Sequence, residues 1–311
     1  MNMQTMNPTS SAGTAVSKAT NIDNYASLSS STSLVELSIG QSTGRKKDKR
    51  ASEELCDTKG ASKKAAAVHK RLFGECDELD AIQKCVSAAR RTHEFMTVPW
   101  GNLGQRMLTT MQRPKYIEEM TGFQNEFHKL VEEFGQAHPT ILQNVYQELG
   151  ALYDPNDYED WSTLRNRFRF TLRHWPTPDT GDIRTDLPKQ ALEEMKADME
   201  AAIQENLVAA NNNLWQRLSK VCKNMSARLE PTTDGKKQRF NDTLVSNVED
   251  MVELMRTLNV TNDPQMTQTA NRIEDVLRGI TPDALREDEY MRGETKREID
   301  DVLASLPNLD I

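Results

Sequence analysis

The sequence contains little that builds a covalent or metal-held framework. Its cysteines follow no Cys-x-x-Cys pattern and are irregularly spaced, at Cys56, Cys76, Cys85 and Cys222. Thiols of this kind are typical of proteins kept in a reducing compartment. No apolar run is long enough to cross a bilayer, and the first residues lack a secretory pattern. We therefore expect free thiols and a cytoplasmic location.

Apolar residues are also scarce, and the 47 acidic residues outnumber the 39 lysines and arginines. Hydrophobic residues make up 37% of the chain, charged residues make up 28%, and the net charge is -8. This composition favours an extended helical body with a large surface, or a domain with disordered tails. A negative chain argues against an obligate nucleic-acid coat, although a local basic stripe can still bind phosphate.

Signatures of catalysis are missing as well. The chain has no phosphate-binding GxxxxGK[ST] loop, no GxGxxG turn, no HExxH helix and no GxSxG elbow. His128 and Glu132 lie one helical turn apart, but no third ligand stands near them in sequence. We therefore predict a protein that is not an enzyme and that binds no metal and no cofactor.

What the sequence does contain is helical periodicity. One apolar stripe runs from Tyr116 to Phe134, after a proline suited to a first helical turn, and Gly135 and Pro139 indicate an end or a kink. A longer stripe with nearly heptad spacing runs from Leu192 to Leu229. So long a helix needs a long partner, and the Tyr116 helix is the predicted one.

Two short stretches alternate instead with period two. Val35, Leu37 and Ile39 share one face of the first, and Phe168, Phe170 and Leu172 share one face of the second. A lone strand leaves its backbone groups unpaired, so the two stretches are predicted to pair.

The predicted fold class is therefore mainly α, an elongated helical bundle with long antiparallel helices and a small two-stranded antiparallel β-ribbon. We expect a disordered tail over residues 1–33, which are rich in Ser, Thr and Asn. A helical domain over 34–230 would hold the ribbon, with 34–39 paired to 167–173. A C-terminal helical segment would cover 231–311.

The basic side chains of two segments can converge if these strands pair. They are Arg45, Lys46, Lys47, Arg167, Arg169 and Arg173. Such a patch would bind nucleic-acid phosphates. The plainer interpretation, which the acidic net charge favours, is that the arginines keep an outer strand face soluble and block edge pairing.

The loop from Phe95 to Gly101 offers a second candidate site. Val98 and Trp100 would anchor a protein partner if they are exposed, because exposed tryptophan is enriched at binding hot spots. The alternative is that both plug the end of a helical bundle, which is the commoner role of such side chains.

The order of these segments resembles an uncharacterised helical family of bacteria and bacteriophages. The resemblance covers roughly residues 34–229. It rests on the 34–39 strand and the basic residues after it, the Val98-Pro99 loop, the Phe123–Phe134 stripe, Tyr153-Asp154-Pro155, the segment 164–170 and Trp175-Pro176. The family has no assigned activity or catalytic residues. Its members often lie near genes for MoxR-type AAA+ ATPases and von Willebrand factor A-like proteins.

These observations together predict a non-enzymatic accessory protein. The resemblance implies a phage-encoded partner or substrate of a MoxR-type AAA+ ATPase, in the host cytoplasm, with a von Willebrand factor A-like protein as another partner. One alternative is a nucleic-acid-binding protein that uses the basic strand face. A second is a structural or assembly protein in which the Leu192–Leu229 helix forms a homomeric coiled coil.

Overall fold

The computed structural model describes residues 24–179, 181, 188–230 and 241–307. Its helices are α1 (Asn24–Ser31), α2 (Lys49–Thr58), α3 (Asp77–Met96), α4 (Arg113–Leu149), α5 (Trp161–Arg165), α6 (Lys189–Leu229), α7 (Thr243–Leu258), α8 (Pro264–Leu277), α9 (Pro282–Glu287) and α10 (Glu289–Ser305). Its strands are β1 (Thr32–Gly40), β2 (Arg45–Asp48), β3 (Val68–Arg71), β4 (Val98–Pro99), β5 (Arg106–Thr109) and β6 (Arg169–Pro176). The predicted mainly α class is confirmed.

The predicted strand pairing is confirmed, but the ribbon is part of a larger sheet. β1 and β6 pair antiparallel, with Leu34 opposite Trp175 and Ile39 opposite Phe170. The sheet has four strands in the order β4-β5-β1-β6, and β2 and β3 form a separate antiparallel pair. A single two-stranded ribbon was therefore wrong, because β5 pairs with the other edge of β1 and β4 pairs in turn with β5.

Both faces of this sheet bury side chains. Val35 and Ile39 of β1 belong to the cores that lie against α3 and α4. Leu34, which points the other way, packs in the core built by α6 to α10, with Met107 of β5. Adjacent strand residues point to opposite faces, so β1 joins two helical layers.

The α3–α4 layer has an aromatic interior. Phe134 of α4 makes edge contacts with Phe73 and Phe168, at centroid separations of 5.3 and 5.9 Å. α4 runs without interruption for 37 residues, with Pro139 inside it. The helix therefore does not end at Gly135 or Pro139. Since the Trp161 ring packs directly against the Gly135 backbone, that glycine makes room for an aromatic ring.

The second layer changes the predicted domain boundary. α6 is the long helix expected from its periodicity, and its buried residues begin at Ile203 and end at Leu229. They share one core with α7, α8 and α10. The Tyr116 helix, predicted as the partner of α6, instead packs mainly on α3. A boundary at 230 was wrong because the C-terminal helices cover the apolar stripe of α6.

The predicted tail over 1–33 is also too long. Asn24–Ser31 is helical and Thr32 begins β1, with the Thr32 hydroxyl 2.8 Å from that of Thr177. The part of that prediction before residue 24 lies outside the described residues. All four cysteines are buried and free, as predicted. Among the described helices, none combines the length and the apolar content that a bilayer crossing requires.

Candidate interaction surface

The face of the main sheet that lies toward α6 is only partly covered by helices. Leu34 and Trp175 pack against the α6 layer, whereas Ser38 on the same face of β1 is exposed. Beside Ser38 on β6 lie Arg169 and Arg173, both exposed, with Thr171 half-buried between them. We call this open strip, formed by Glu36 and Ser38 of β1 and the residues 169, 171 and 173 of β6, the arginine ledge.

The ledge arginines are free within the described part of the chain. Neither the Arg169 nor the Arg173 side chain makes a hydrogen bond or an ion pair there. Arg173 stands across from Glu36 of β1, and Arg169 stands across from Gly40. The ledge therefore presents two guanidinium groups and one carboxylate to solvent.

Two other residues of the predicted basic patch are neutralised. Lys46 Nζ lies 2.7 Å from Asp157 Oδ1, and Arg167 forms an ion pair with Glu159. Both basic segments thus contact the acidic segment that follows α4. Their charge is compensated there, so Lys46 and Arg167 offer little to a phosphate backbone.

A buried ion-pair network lies beneath this meeting point. Lys70 of β3 contacts the carboxylates of Asp157 and Asp48, the latter at 3.2 Å, and its ammonium donates to the Leu152 carbonyl at 2.6 Å. The Lys70 side chain is 4% exposed. Burial alone would lower the pKa of Lys70, but hydrogen bonds and charges from the two aspartates raise it. The network connects the β2–β3 pair to the segment that follows α4.

The remaining residues of the predicted patch lie on the β2–β3 pair. Arg45 stands opposite Arg71, and Lys47 stands opposite His69. Arg45 and Arg71 border a hollow of about 480 Å³ that α3 closes with Asp77 and Asp80. Two arginines and three carboxylates, including that of Glu75, line this hollow, so both signs of charge are present in it.

Val98 and Trp100 are not exposed anchors. Val98 is fully buried, Trp100 is 4% exposed, and both pack in the α6 core. The partner-binding role predicted for them was wrong and the core alternative correct, because β4 brings this loop under α6. The neighbouring Leu103 is the exposed residue, at 87%. Its signal in the sequence was the flanking glycines, Gly101 and Gly104, which both adopt positive φ.

Two arginines close the C-terminal end of α3. Arg106 of β5 donates to the Thr97 hydroxyl and carbonyl at 2.6 and 2.9 Å. Arg217 of α6 donates to the Thr97 carbonyl at 3.1 Å and to the Phe95 carbonyl, and its guanidinium lies over the Phe95 ring. Burial, followed by the Arg106 charge, lowers the pKa of Arg217 to about 10. These cations cap the negative end of the helix and join the two layers.

Two histidines are held neutral in the interior. His93 Nδ1 lies 2.7 Å from the Tyr116 hydroxyl, and burial, followed by the Arg106 charge, lowers the pKa of His93 to about 4. Burial also lowers the pKa of His138, which stands among Phe134 and Trp161. Neither histidine faces a cleft, so both act as packing groups.

His128 and Glu132 do not gain a third ligand. Across the residues given above as described, no group of three or more His, Cys, Asp or Glu side chains comes close enough to hold a metal ion. Glu132 instead forms an ion pair with Arg165 of α5. That contact ties α4 to α5.

The chain matches no family model, and no significant match is found among curated proteins or solved structures. The resemblance noted from the sequence therefore stays a prediction.

Proposed function

We propose that this protein is a non-catalytic binding protein that engages another polypeptide. The observation that supports this most is how its ionisable groups are divided. The buried ones join elements of the fold, as Lys70, Arg106 and Arg217 do. Among the exposed ones, Arg169 and Arg173 have no side-chain ion pair with the described residues and lie together on the open arginine ledge, where a partner can reach them.

This arrangement of the buried ionisable groups argues against catalysis, because catalysis needs reactive groups that converge on a substrate. In this chain Nδ1 of the buried His93 contacts the Tyr116 hydroxyl, and the ammonium of the buried Lys70 contacts two aspartates and a carbonyl. Groups held in this way stabilise the fold and have little capacity for proton transfer. A binding role is the function that such a surface supports best.

The kind of partner follows from the resemblance and not from the geometry. A MoxR-type AAA+ ATPase in the cytoplasm, with a von Willebrand factor A-like protein beside it, is the partner we propose, and a phage the source. Purification of the tagged full chain from native lysate, with nuclease added, tests this. We expect an ATPase subunit above the tag-only control in repeated experiments, and its consistent absence refutes the assignment.

Nucleic acid is the weaker candidate. Of the six residues predicted for it, Lys46 and Arg167 are compensated by Asp157 and Glu159, and Glu36 lies within the ledge. A carboxylate beside two arginines repels phosphate and does not hinder a peptide that can place its own groups between charges. Binding to single-stranded DNA that weakens steeply with salt would favour this alternative.

A homomeric coiled coil through the whole of α6 also loses support. The stripe from Ile203 to Leu229 is buried within the chain, which leaves only the exposed first part of α6, with Leu192 and Met195, for another helix. We propose an elongated monomer, with its long helices antiparallel. Sedimentation velocity tests the shape, and a concentration-dependent dimer would contradict the monomer.

A further inference from the structure

The edge of the main sheet formed by β6 has no neighbouring strand among the described residues. All eight residues of β6 pair with β1 on one side. In an antiparallel pair, the backbone groups of every second residue turn away from the partner strand. One carbonyl of β6, that of Phe170, accepts from the Gln124 side chain at 3.3 Å. An open edge of this kind is the template on which an extended peptide adds as a further strand.

Side chains on the two faces of β6 define what such a peptide must carry. On the ledge face, Arg169 and Arg173 are exposed and separated by four residues, which is about 14 Å along a strand. On the opposite face, Leu172 is half-buried beside Ile117 and Phe123 of α4. A strand added along β6 would alternate in the same way, with carboxylates over the ledge and apolar groups toward α4.

We propose that the β6 edge binds an extended segment of a protein partner with the pattern acidic–apolar–x–apolar–acidic. The first and last side chains pair with Arg173 and Arg169, and the apolar side chains lie over Phe170 and Leu172. The backbone of the segment supplies the ladder hydrogen bonds. This inference rests on the proposed binding function and assigns it to one strand and one chemistry.

Charge favours this occupant over two others. A second copy of the chain, paired antiparallel about Thr171, would set Arg169 of one copy against Arg173 of the other, and like charges directly opposite each other destabilise a sheet. Nucleic acid has no peptide N–H and C=O groups to match the backbone groups of the strand edge. An acidic strand satisfies both the hydrogen bonds and the arginines.

Fluorescence anisotropy with the full chain tests the proposal. The probe is a short fluorescein-labelled peptide centred on Glu-Val-Thr-Val-Glu, and the same peptide with lysines in place of the glutamates is the charge control. We expect saturable binding of the first and none of the second. Charge reversal by R169E with R173E should weaken binding at least about tenfold, since two attractive ion pairs are lost and like-charge repulsion replaces them.

A matched variant and a backbone probe separate charge attraction from strand addition. K220E with K223E changes the net charge equally at two exposed lysines of α6 and should leave binding unchanged. N-methylation of alternate peptide amides should abolish binding when it blocks one edge of the peptide and preserve it when it blocks the other, because only one edge meets β6.

Three results would overturn the proposal. They are equal binding of the glutamate and lysine peptides, equal binding of the two N-methylated peptides, and competition by single-stranded DNA that is as strong as competition by unlabelled peptide. If R169E with R173E still retains the native partner in the purification above, the ledge assignment fails while the binding function stands. Loss of every partner from the wild-type chain would remove the function itself.

Discussion

Replacing Lys70 with methionine removes the cation at the centre of the buried ion-pair network. Methionine keeps most of the length and volume of the side chain but leaves Asp48 and Asp157 facing each other. Lys46 still contacts Asp157, but its side chain is 49% exposed and its charge is screened by solvent. The variant therefore buries two carboxylates with one weak counter-charge.

The expected loss in the free energy of unfolding is about 3 kcal/mol at neutral pH. Breaking a buried ion pair by removing one partner typically costs about 3–5 kcal/mol. We take the lower end because the Asp48 side chain keeps 12% of its exposure and water can relax around it. Adding D48N and D157N to K70M should recover about half of the loss, because no uncompensated charge then remains.

The stability difference between K70M and wild type should also depend on pH, in a direction that the carboxylate pKa values determine. In the wild type, the pKa of Asp157 is lowered, so its contribution is present above the ordinary aspartate value and is lost only in stronger acid. In K70M the carboxylates keep their burial without the lysine, which raises their pKa. A carboxylate with a raised pKa in the folded state destabilises the protein when it is ionised, and this cost disappears as the pH falls through that pKa and the group takes up a proton. The stability gap between K70M and wild type should therefore narrow as pH falls toward about 4.5.

Urea unfolding followed by circular dichroism measures these differences without screening the charges. K63M is the matched control, because Lys63 meets Glu53 in an exposed pair and its loss should cost less than about 0.5 kcal/mol. A K70M loss no larger than that of K63M, or a gap that widens in acid, would show that the network does not stabilise the fold.

Three further predictions follow from single side chains. The stability of the wild type should fall as the pH is lowered from about 6.5 to about 4. The folded state lowers the pKa of His93, so the unfolded chain takes up a proton at higher pH than the folded chain does. H93F should weaken this pH dependence in unfolding curves measured across an acid titration. G135A should destabilise the protein by about 1–3 kcal/mol, since the added methyl overlaps the Trp161 ring, whereas G122A on the open side of the same helix should stabilise it by about 0.5–1 kcal/mol in urea. W100A should cost about 3–5 kcal/mol and leave partner capture by the folded fraction unchanged, and a selective loss of capture would restore its predicted anchoring role.

Several elements could be predicted from local pattern alone. The pairing of β1 with β6 followed from strict alternation in each segment, and the length of α6 followed from apolar residues at three- and four-residue spacing. β4 and β5 were missed because two and four residues are too few to show a period. β2 was missed because Arg45, Lys46 and Lys47 carry no apolar face.

The candidate interaction surface also has features that the sequence predicts and features that it does not. The exposure of Arg169 and Arg173 was predictable, because alternation puts both opposite the apolar face of their strand. The neutralisation of Lys46 was not, since its partner Asp157 lies over a hundred positions further along the chain. The burial of Val98 and Trp100 depends on α6, which lies far along the chain and covers them.

The sequence by itself determined the long helices and the two alternating strands, and which side of each is apolar, because those properties depend on residues a few positions apart. Only the tertiary structure decided that α6 packs on the C-terminal helices and not on α4, and which of the six basic residues stay free. Which helices pack together and which charges pair depend on the shape and charge of surfaces formed by segments far apart in the chain. The local spacing of residues does not specify those contacts.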